Sequence, residues 1–140
     1  MEIHRPSILA VEDEESARVL LRHTLGDLCD LTVVEGPGPA LDEIDSGSFD
    51  LFLLDINLRA EGSESAPGPG GEGVGLLHTI RERSPLSEVP AVAVTAYAMP
   101  GDRETLLQEG FDHYVEKPFT MGELREAVDA ALPDSWNLQV

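Results

Sequence analysis

Polar residues that could bind a cation and a phosphoryl group follow four apolar runs of the sequence. Glu12 and Asp13 follow the first run, and Asp55, Thr95 and Lys117 follow three later ones. Carboxylate oxygens suit a hard cation such as Mg²⁺, which keeps water positions that a phosphoryl group can enter. A hydroxyl and an ammonium are donors for phosphoryl oxygens. The residue types therefore indicate phosphoryl chemistry, provided that the fold brings them together.

Three carboxylates gathered at one place repel one another unless a cation joins them. Two such charges roughly 4 Å apart repel by about 4 kcal/mol at an effective dielectric constant of about 20. We therefore expect Glu12, Asp13 and Asp55 to bind Mg²⁺. Asp55 follows an apolar run that fixes its position, so its carboxylate is the candidate nucleophile toward phosphorus and would form an acyl phosphate. Thr95 and Lys117 would then hold two phosphoryl oxygens.

The elements that must position these residues are predicted by the hydrophobic pattern. Short apolar runs alternate with segments of helical spacing, which is typical of an α/β protein with a parallel sheet covered on both faces. The predicted strands are 8–11, 31–34, 49–54, 91–94 and 113–115, and helical spacing covers 17–28, 40–44, 74–80, 102–109 and 124–132. The pattern predicts a doubly wound, five-stranded parallel sheet.

In such a sheet, ligands bind at the carboxyl ends of the strands. All five polar residues are expected at that edge. Taken singly, each has an ordinary interpretation: acidic residues favour the start of a helix, a Thr that ends a strand is often structural, and a Lys-Pro pair is a weak signal. Their coincidence at one edge of one sheet favours a functional site.

One segment, residues 59–72, has the sequence RAEGSESAPGPGGE and is predicted to be a loop, because it carries four Gly, two Pro and no large apolar residue. We expect residues 1–6 to form an N-terminal extension, 7–132 the domain and 133–140 a tail. Two interpretations of the loop stay open. It is either a neutral insertion, or a segment that binds a partner or shields an acyl phosphate from water.

The composition of the chain disfavours some classes of partner. The 140 residues include 27 acidic and 9 basic ones, for a formal net charge of −18. Nucleic-acid binding is disfavoured because it needs clustered basic residues. Lys117 is the single lysine, so a compositional bias against lysine, from base composition or from adaptation to salt, has spared it. The sequence also lacks a bilayer-spanning apolar run and a signal peptide, so we expect a cytoplasmic protein without membrane contact.

Four motifs give the chain a family resemblance. ILAVEDE, LFLLDINL, AVAVTAYA and HYVEKPF occur in this order at the first, third, fourth and fifth predicted strands. Over residues 7–132 the chain resembles the receiver domain of bacterial two-component response regulators, which has the CheY-like, flavodoxin-like fold. The set of four motifs is specific, although any one of them alone is weak.

The resemblance implies roles for the residues that match it. Asp55 would be the phosphoacceptor, and Glu12, Asp13, Asp55 and the backbone carbonyl of Asn57 would bind Mg²⁺. Glu12 stands where the family more often has Asp. The main departure follows Asp55, because the family usually has Pro at the position of Arg59 and a shorter connection to the next helix.

The remaining matches concern the phosphoryl group and the response to it. Thr95 and Lys117 match the residues that contact the phosphoryl group, and Ala96 matches a small residue that leaves access to it. Tyr114 stands where the family has an aromatic switch that turns inward as Thr95 moves. The bond between Lys117 and Pro118 is implied to be cis.

The resemblance also implies partners. The phosphoryl donor would be a sensor histidine kinase or a histidine phosphotransfer protein. The output would be a downstream protein bound by the face of the fourth helix, fifth strand and fifth helix, near 102–109, 113–116 and 120–132. We expect a single-domain response regulator that is a monomer or a phosphorylation-dependent dimer, and a signalling protein rather than an enzyme.

Two rival functions are weighed against this one. Phosphatases of the haloacid dehalogenase type also use an Asp nucleophile with Mg²⁺, but they need a second Asp two residues further on as the general acid. Asn57 occupies that position and cannot supply a proton. The other rival is a phosphorylation-independent interaction module, which the complete set of phosphorylation residues disfavours.

Overall fold

Continuous apolar runs form the strands because both faces of the sheet are covered by helices. The computed structural model describes residues 5–56, 72–83, 88–95 and 102–132. The strands are β1 (Ser7–Val11), β2 (Asp30–Val34), β3 (Leu51–Asp55), β4 (Ala91–Thr95) and β5 (His113–Glu116). All pair in parallel in the order β2-β1-β3-β4-β5, which confirms the predicted sheet.

Five helices alternate with the strands. They are α1 (Glu15–Leu25), α2 (Pro37–Ser46), α3 (Glu72–Arg81), α4 (Asp102–Glu109) and α5 (Met121–Ala131). Within the described ranges, none of these helices has the length and apolar character needed to cross a bilayer.

The core lies in two layers, one on each face of the sheet. Successive residues of a strand point to opposite faces, so Leu9 packs in one layer and Ile8 in the other. One layer is closed by apolar residues of α2, α3 and α4, and the other by those of α1 and α5. Every residue of β3 and β4 is buried. The two strands that end in Asp55 and Thr95 are therefore rigid supports.

Some of the predicted boundaries were wrong. Helix α1 ends at Leu25 rather than near Leu28, because the backbone N–H groups of Leu28 and Cys29 both bond to the Leu25 carbonyl and turn the chain toward β2. Strand β3 begins at Leu51, two residues later than predicted. Phe49 is buried but precedes the strand. Glu72, predicted to end the loop, is the first residue of α3. The rest of that loop and the tail lie outside the described residues.

The ends of two helices show the local chemistry that stops or starts them. Gly110 follows α4 with a φ of 115°, the left-handed conformation that favours glycine, as expected for a helix C-cap. At the start of α5, the Thr120 hydroxyl accepts from the Glu123 N–H at 3.0 Å, and the Thr120 N–H donates to the Glu123 carboxylate at 3.0 Å. This capping box begins the last helix directly after the loop that carries Lys117.

We expect Gly110→Ala to lower the free energy of unfolding by about 1–2 kcal/mol, because a side chain is strained at positive φ. A Cβ at this position would also lie 3.4 Å from the Leu77 side chain. Gly75→Ala is the matched control, since Gly75 lies within α3 with open space around its missing Cβ. That change should stabilise the protein by about 0.5–1 kcal/mol. Urea denaturation measures both, and equal effects of the same sign would contradict the assignment.

Candidate functional site

The parallel sheet brings the predicted site residues to one edge. Val11, the last residue of β1, pairs with Leu54, and Asp55 pairs with Val94 on the next strand. Thr95, the last residue of β4, pairs with Glu116. Asp55 and Thr95 are thus the final residues of their strands, and the other site residues follow β1 and β5. All are at the carboxyl edge.

Backbone hydrogen bonds continue the strand pairing into the loops of the site. The N–H of Glu12 donates to the Val34 carbonyl at 3.0 Å, and the N–H of Lys117 donates to the Thr95 carbonyl at 2.7 Å. Glu12 and Lys117 are therefore each tied by the backbone to a neighbouring strand. The bond between Lys117 and Pro118 is cis, as the resemblance implied.

Lys117 joins two buried carboxylates. Its Nζ lies 2.7 Å from Glu12 Oε1 and 3.4 Å from Asp55 Oδ2. Glu12 and Asp55 are each 1% exposed, and the Lys117 side chain is 15% exposed. A buried charge needs a partner of opposite sign, so the position of this ammonium is determined by the two carboxylates.

Glu12, Asp13 and Asp55 form a cluster that suits a hard cation. Each offers one carboxylate oxygen, and these oxygens lie within 4.8 Å of one another. Asp13 is exposed while the other two are buried, so a cation could enter from the Asp13 side and keep water on it. An all-oxygen donor set of this kind fits Mg²⁺. Asn57, whose carbonyl was assigned to the same ion, lies outside the described residues.

Burial raises the pKa of Glu12 to about 8, and the hydrogen bond and negative charge of Asp55 act in the same direction. The pKa of Lys117 is also raised. Burial alone would lower it, but the hydrogen bond with Glu12 and the charge of Asp55 prevail. Without a cation, the site therefore favours the charged form of Lys117 and a proton on Glu12.

Two further predicted residues lie on β4 and β5. Thr95 is fully buried at the end of β4, between β3 and β5 in the sheet. Tyr114 is half-buried on β5, pairs with Ala93 and packs against the core layer that contains Leu9 and Phe52. Ala96 lies outside the described residues.

Arg18 is a site residue that the sequence did not reveal. It lies on α1, and its Nη1 donates to the backbone carbonyl of Glu12 at 3.1 Å. A side-chain bond to a backbone carbonyl leaves no motif, because any residue can supply the carbonyl. The sequence showed only that Arg18 lies in the helix after Glu12 and Asp13, one helical turn beyond Glu14.

Comparison with known proteins identifies the family. A family model described as the response regulator receiver domain matches residues 8–129. The chain belongs to the response regulator receiver domain family. A receiver domain is a signalling module of two-component systems, and several of its relatives carry names of that kind.

The relatives of this receiver domain differ in length. It is 32% identical over 124 residues to the chemotaxis protein CheY of Pseudomonas aeruginosa, covering 87% of this chain and 92% of that one. It is 30% identical over 130 residues to the polar-differentiation response regulator DivK of Brucella ovis, covering 92% and 98%. It is also 32% identical over 128 residues to the sensor protein GacS of Pseudomonas syringae, but spans only 13% of that protein.

Solved structures agree on the fold of the receiver domain. The chemotaxis protein CheY4 of Vibrio cholerae superimposes with a TM-score of 0.79 at 22% identity, over 91% of this chain and 99% of that one. This likeness extends over the whole sheet and its helices. It supports the CheY-like architecture.

In the metal-free receiver domain we expect the stability contributed by Glu12 to fall as pH rises from about 4.5 to about 8. The folded state keeps the proton of this carboxyl up to a pKa of about 8, whereas the unfolded chain loses it near 4.5. The folded state then binds more protons, so its stability declines with pH. Urea denaturation in EDTA at a series of pH values measures the decline.

Glu12→Gln stays neutral and should remove this part of the pH dependence. Glu15→Gln, an exposed site on the first turn of α1, is the control and should leave it in place. A pH profile that is the same in the native chain and in Glu12→Gln would refute the raised pKa.

Proposed function

We propose that this receiver domain accepts a phosphoryl group on Asp55 from the phosphohistidine of a sensor histidine kinase or a histidine phosphotransfer protein, in a Mg²⁺-dependent reaction. The observation that carries the proposal is the position of Asp55. Its carboxylate is buried at the end of β3, within the Glu12–Asp13–Asp55 cluster and 3.4 Å from the Lys117 ammonium.

The transfer needs little beyond positioning and charge. A carboxylate oxygen of Asp55 forms a bond to phosphorus as the P–N bond to the histidine breaks, and the imidazole leaves with the electron pair. Bound Mg²⁺ would neutralise charge on the phosphoryl oxygens. Strand β3 is buried along its whole length, so the nucleophile is held in place before the donor arrives.

Lys117 supports the phosphoryl transfer by changing its hydrogen-bond partner. Its ammonium has three N–H donors and faces both Glu12 and Asp55. When the Asp55 carboxylate becomes an acyl phosphate, a donor of Lys117 can turn to a phosphoryl oxygen at the same place. The ammonium then stabilises the charge that the transfer brings into the site.

Cation binding and the proton on Glu12 compete. A cation held by Glu12, Asp13 and Asp55 favours the carboxylate form of Glu12, which opposes its raised pKa. Mg²⁺ binding would therefore favour release of the proton from Glu12. When the cation is absent, a proton on Glu12 lowers the repulsion among the three acidic residues at this edge.

Thr95 and Tyr114 are the proposed route from the site to the surface. Thr95 ends β4 beside Asp55, and Ala93, two residues earlier on β4, pairs with Tyr114 on the edge strand β5. A Thr95 hydroxyl drawn toward a phosphoryl oxygen leaves space that the Tyr114 ring can enter. Phosphorylation would in this way shift an equilibrium between two conformations.

The proposed output face consists of α4, β5 and α5, and its target is a downstream protein. Leu107 of α4 is an exposed apolar residue of this face, at 41% exposure. A groove of about 570 Å³ runs beside β5 and α5 and is lined by Tyr114, Glu116, Pro118 and Glu126, among others. The groove joins the proposed switch residue to the loop that carries Lys117. A change at the site can therefore alter the shape of this surface.

Phosphorylation by acetyl phosphate tests the proposal directly. With Mg²⁺ the native chain should gain the mass of one phosphoryl group, and EDTA should prevent the gain. Asp55→Asn should abolish it, because an amide is not a nucleophile toward phosphorus. Asp129→Asn, an exposed site on α5, is the matched control and should be phosphorylated as the native chain is. A modification that persists in Asp55→Asn would overturn the proposal, and native failure would favour a phosphorylation-independent module.

Thr95→Ala should allow phosphorylation of Asp55 but prevent the proposed response of Tyr114. The variant keeps Asp55 and should still gain the phosphoryl mass, but it lacks the hydroxyl that would move. We expect the amide resonance of Tyr114 to shift on phosphorylation of the native chain and to stay in place in Thr95→Ala. Thr79→Ala, a partly exposed site on α3, is the control. An unchanged shift of Tyr114 in Thr95→Ala would contradict the proposed route.

A further inference from the structure

Arg18 is a partly buried cationic side chain beside the carboxylate cluster, on the first turn of α1. Its side chain is 14% exposed, and its Nη1 donates to the backbone carbonyl of Glu12 at 3.1 Å. Its Nη2 lies 3.7 Å from Glu35 Oε1, in the connection between β2 and α2. The guanidinium thus joins α1, that connection and the backbone of the site.

Glu12 is held through each of its polar groups. Its N–H donates to Val34, its Oε1 faces Lys117, and its Oε2 accepts from the Glu14 N–H at 3.1 Å. The carbonyl is the remaining group, and Arg18 is its partner. A peptide unit is planar, so the bond from Arg18 also fixes the N–H and the Cα of the next residue, Asp13.

Asp13 is the member of the cluster that most needs this constraint. It is exposed, whereas Glu12 and Asp55 are buried. Within the described part of the chain, its carboxylate makes no hydrogen bond and no ion pair. Side-chain partners therefore do not hold it, and its place within 4.8 Å of the other two carboxylates depends on the backbone at Glu12.

We propose that Arg18 is a positioning residue for the cation site, which aims Asp13 by holding the carbonyl of Glu12. This inference rests on the proposed Mg²⁺-dependent function. Arg18 does not touch the cation or the phosphoryl group. Glu35 supports the arrangement by pairing with the other arm of the guanidinium.

Loss of the charge and loss of the hydrogen bond predict opposite changes in Mg²⁺ affinity for a variant that lacks Arg18. Removing a positive charge near a cation site would tighten Mg²⁺ binding through reduced repulsion. Removing the hydrogen bond to Glu12 would free the peptide before Asp13 and weaken binding. The direction of the change in Mg²⁺ affinity therefore separates a positioning role from a mere charge effect.

The test is Mg²⁺ binding by isothermal titration calorimetry to the native chain, Arg18→Ala and Arg22→Ala. Arg22 is the matched control, because it lies on the same helix, is exposed and loses the same charge. We expect roughly tenfold weaker binding for Arg18→Ala, the lower end of what loss of an outer-sphere partner does to metal affinity. Arg22→Ala should bind as the native chain does, or more tightly.

A kinetic measurement separates positioning from a structural role. In phosphorylation by acetyl phosphate, the Mg²⁺ concentration that gives the half-maximal rate should rise in Arg18→Ala. The maximal rate should stay within about twofold of the native rate, because added Mg²⁺ restores occupancy of the cation site. A lower melting temperature with an unchanged Mg²⁺ dissociation constant would overturn the inference. Arg18 would then only stabilise the packing of α1.

Equal Mg²⁺ affinities of Arg18→Ala and Arg22→Ala would also overturn it. If Arg18→Ala does not fold, Arg18→Lys is compared with Arg22→Lys, since both keep the charge and only the first loses the guanidinium at Glu12. Weaker binding by Arg18→Lys supports the inference, and equal binding refutes it. Failure of the native chain to bind Mg²⁺ would instead refute the proposed function.

Discussion

Two buried carboxylates that face one ammonium set the conditions for the rest of this structure. Glu12 and Asp55 are almost fully buried, and Lys117 reaches both of them. Burial strengthens the repulsion between the carboxylates as well as their attraction to the ammonium. Burial and then the hydrogen bond with Asp55 raise the pKa of Glu12, while the two carboxylates raise the pKa of Lys117. The pair of acids thus favours a proton on Glu12 and the charged form of Lys117.

The order of the strands explains why a long cationic side chain is needed. Strand β4 lies between β3, which carries Asp55, and β5, which precedes Lys117. The Lys117 side chain therefore crosses the end of β4, where Thr95 is fully buried. The backbone N–H of Lys117 also donates to the Thr95 carbonyl, so the loop that carries the ammonium is bonded directly to the end of β4. The geometry that pairs the charges is the same geometry that connects the site to the outer edge of the sheet.

Most of the fold and the central residues of the site were predictable because they depend on local patterns. Continuous apolar runs predict buried strands, and a parallel sheet places the residues after those strands at one edge. Glu12, Asp13, Asp55 and Lys117 are found together for this reason. The end of α1 was wrong because the bonds of Leu28 and Cys29 to the Leu25 carbonyl depend on a turn that helical spacing does not reveal. Arg18 was missed because its partner is a backbone carbonyl.

The amino-acid sequence by itself determined the class of fold, the edge at which the chemistry lies and the residue types that perform it. These follow from periodicity and from motifs whose members are close along the chain. Only the tertiary structure decided which carboxylates are buried, that Lys117 contacts two of them, and that Arg18 holds the backbone between Glu12 and Asp13. The physical reason is that desolvation and charge pairing depend on distances between residues far apart in the chain. Packing sets those distances, and the order of residues does not encode them locally.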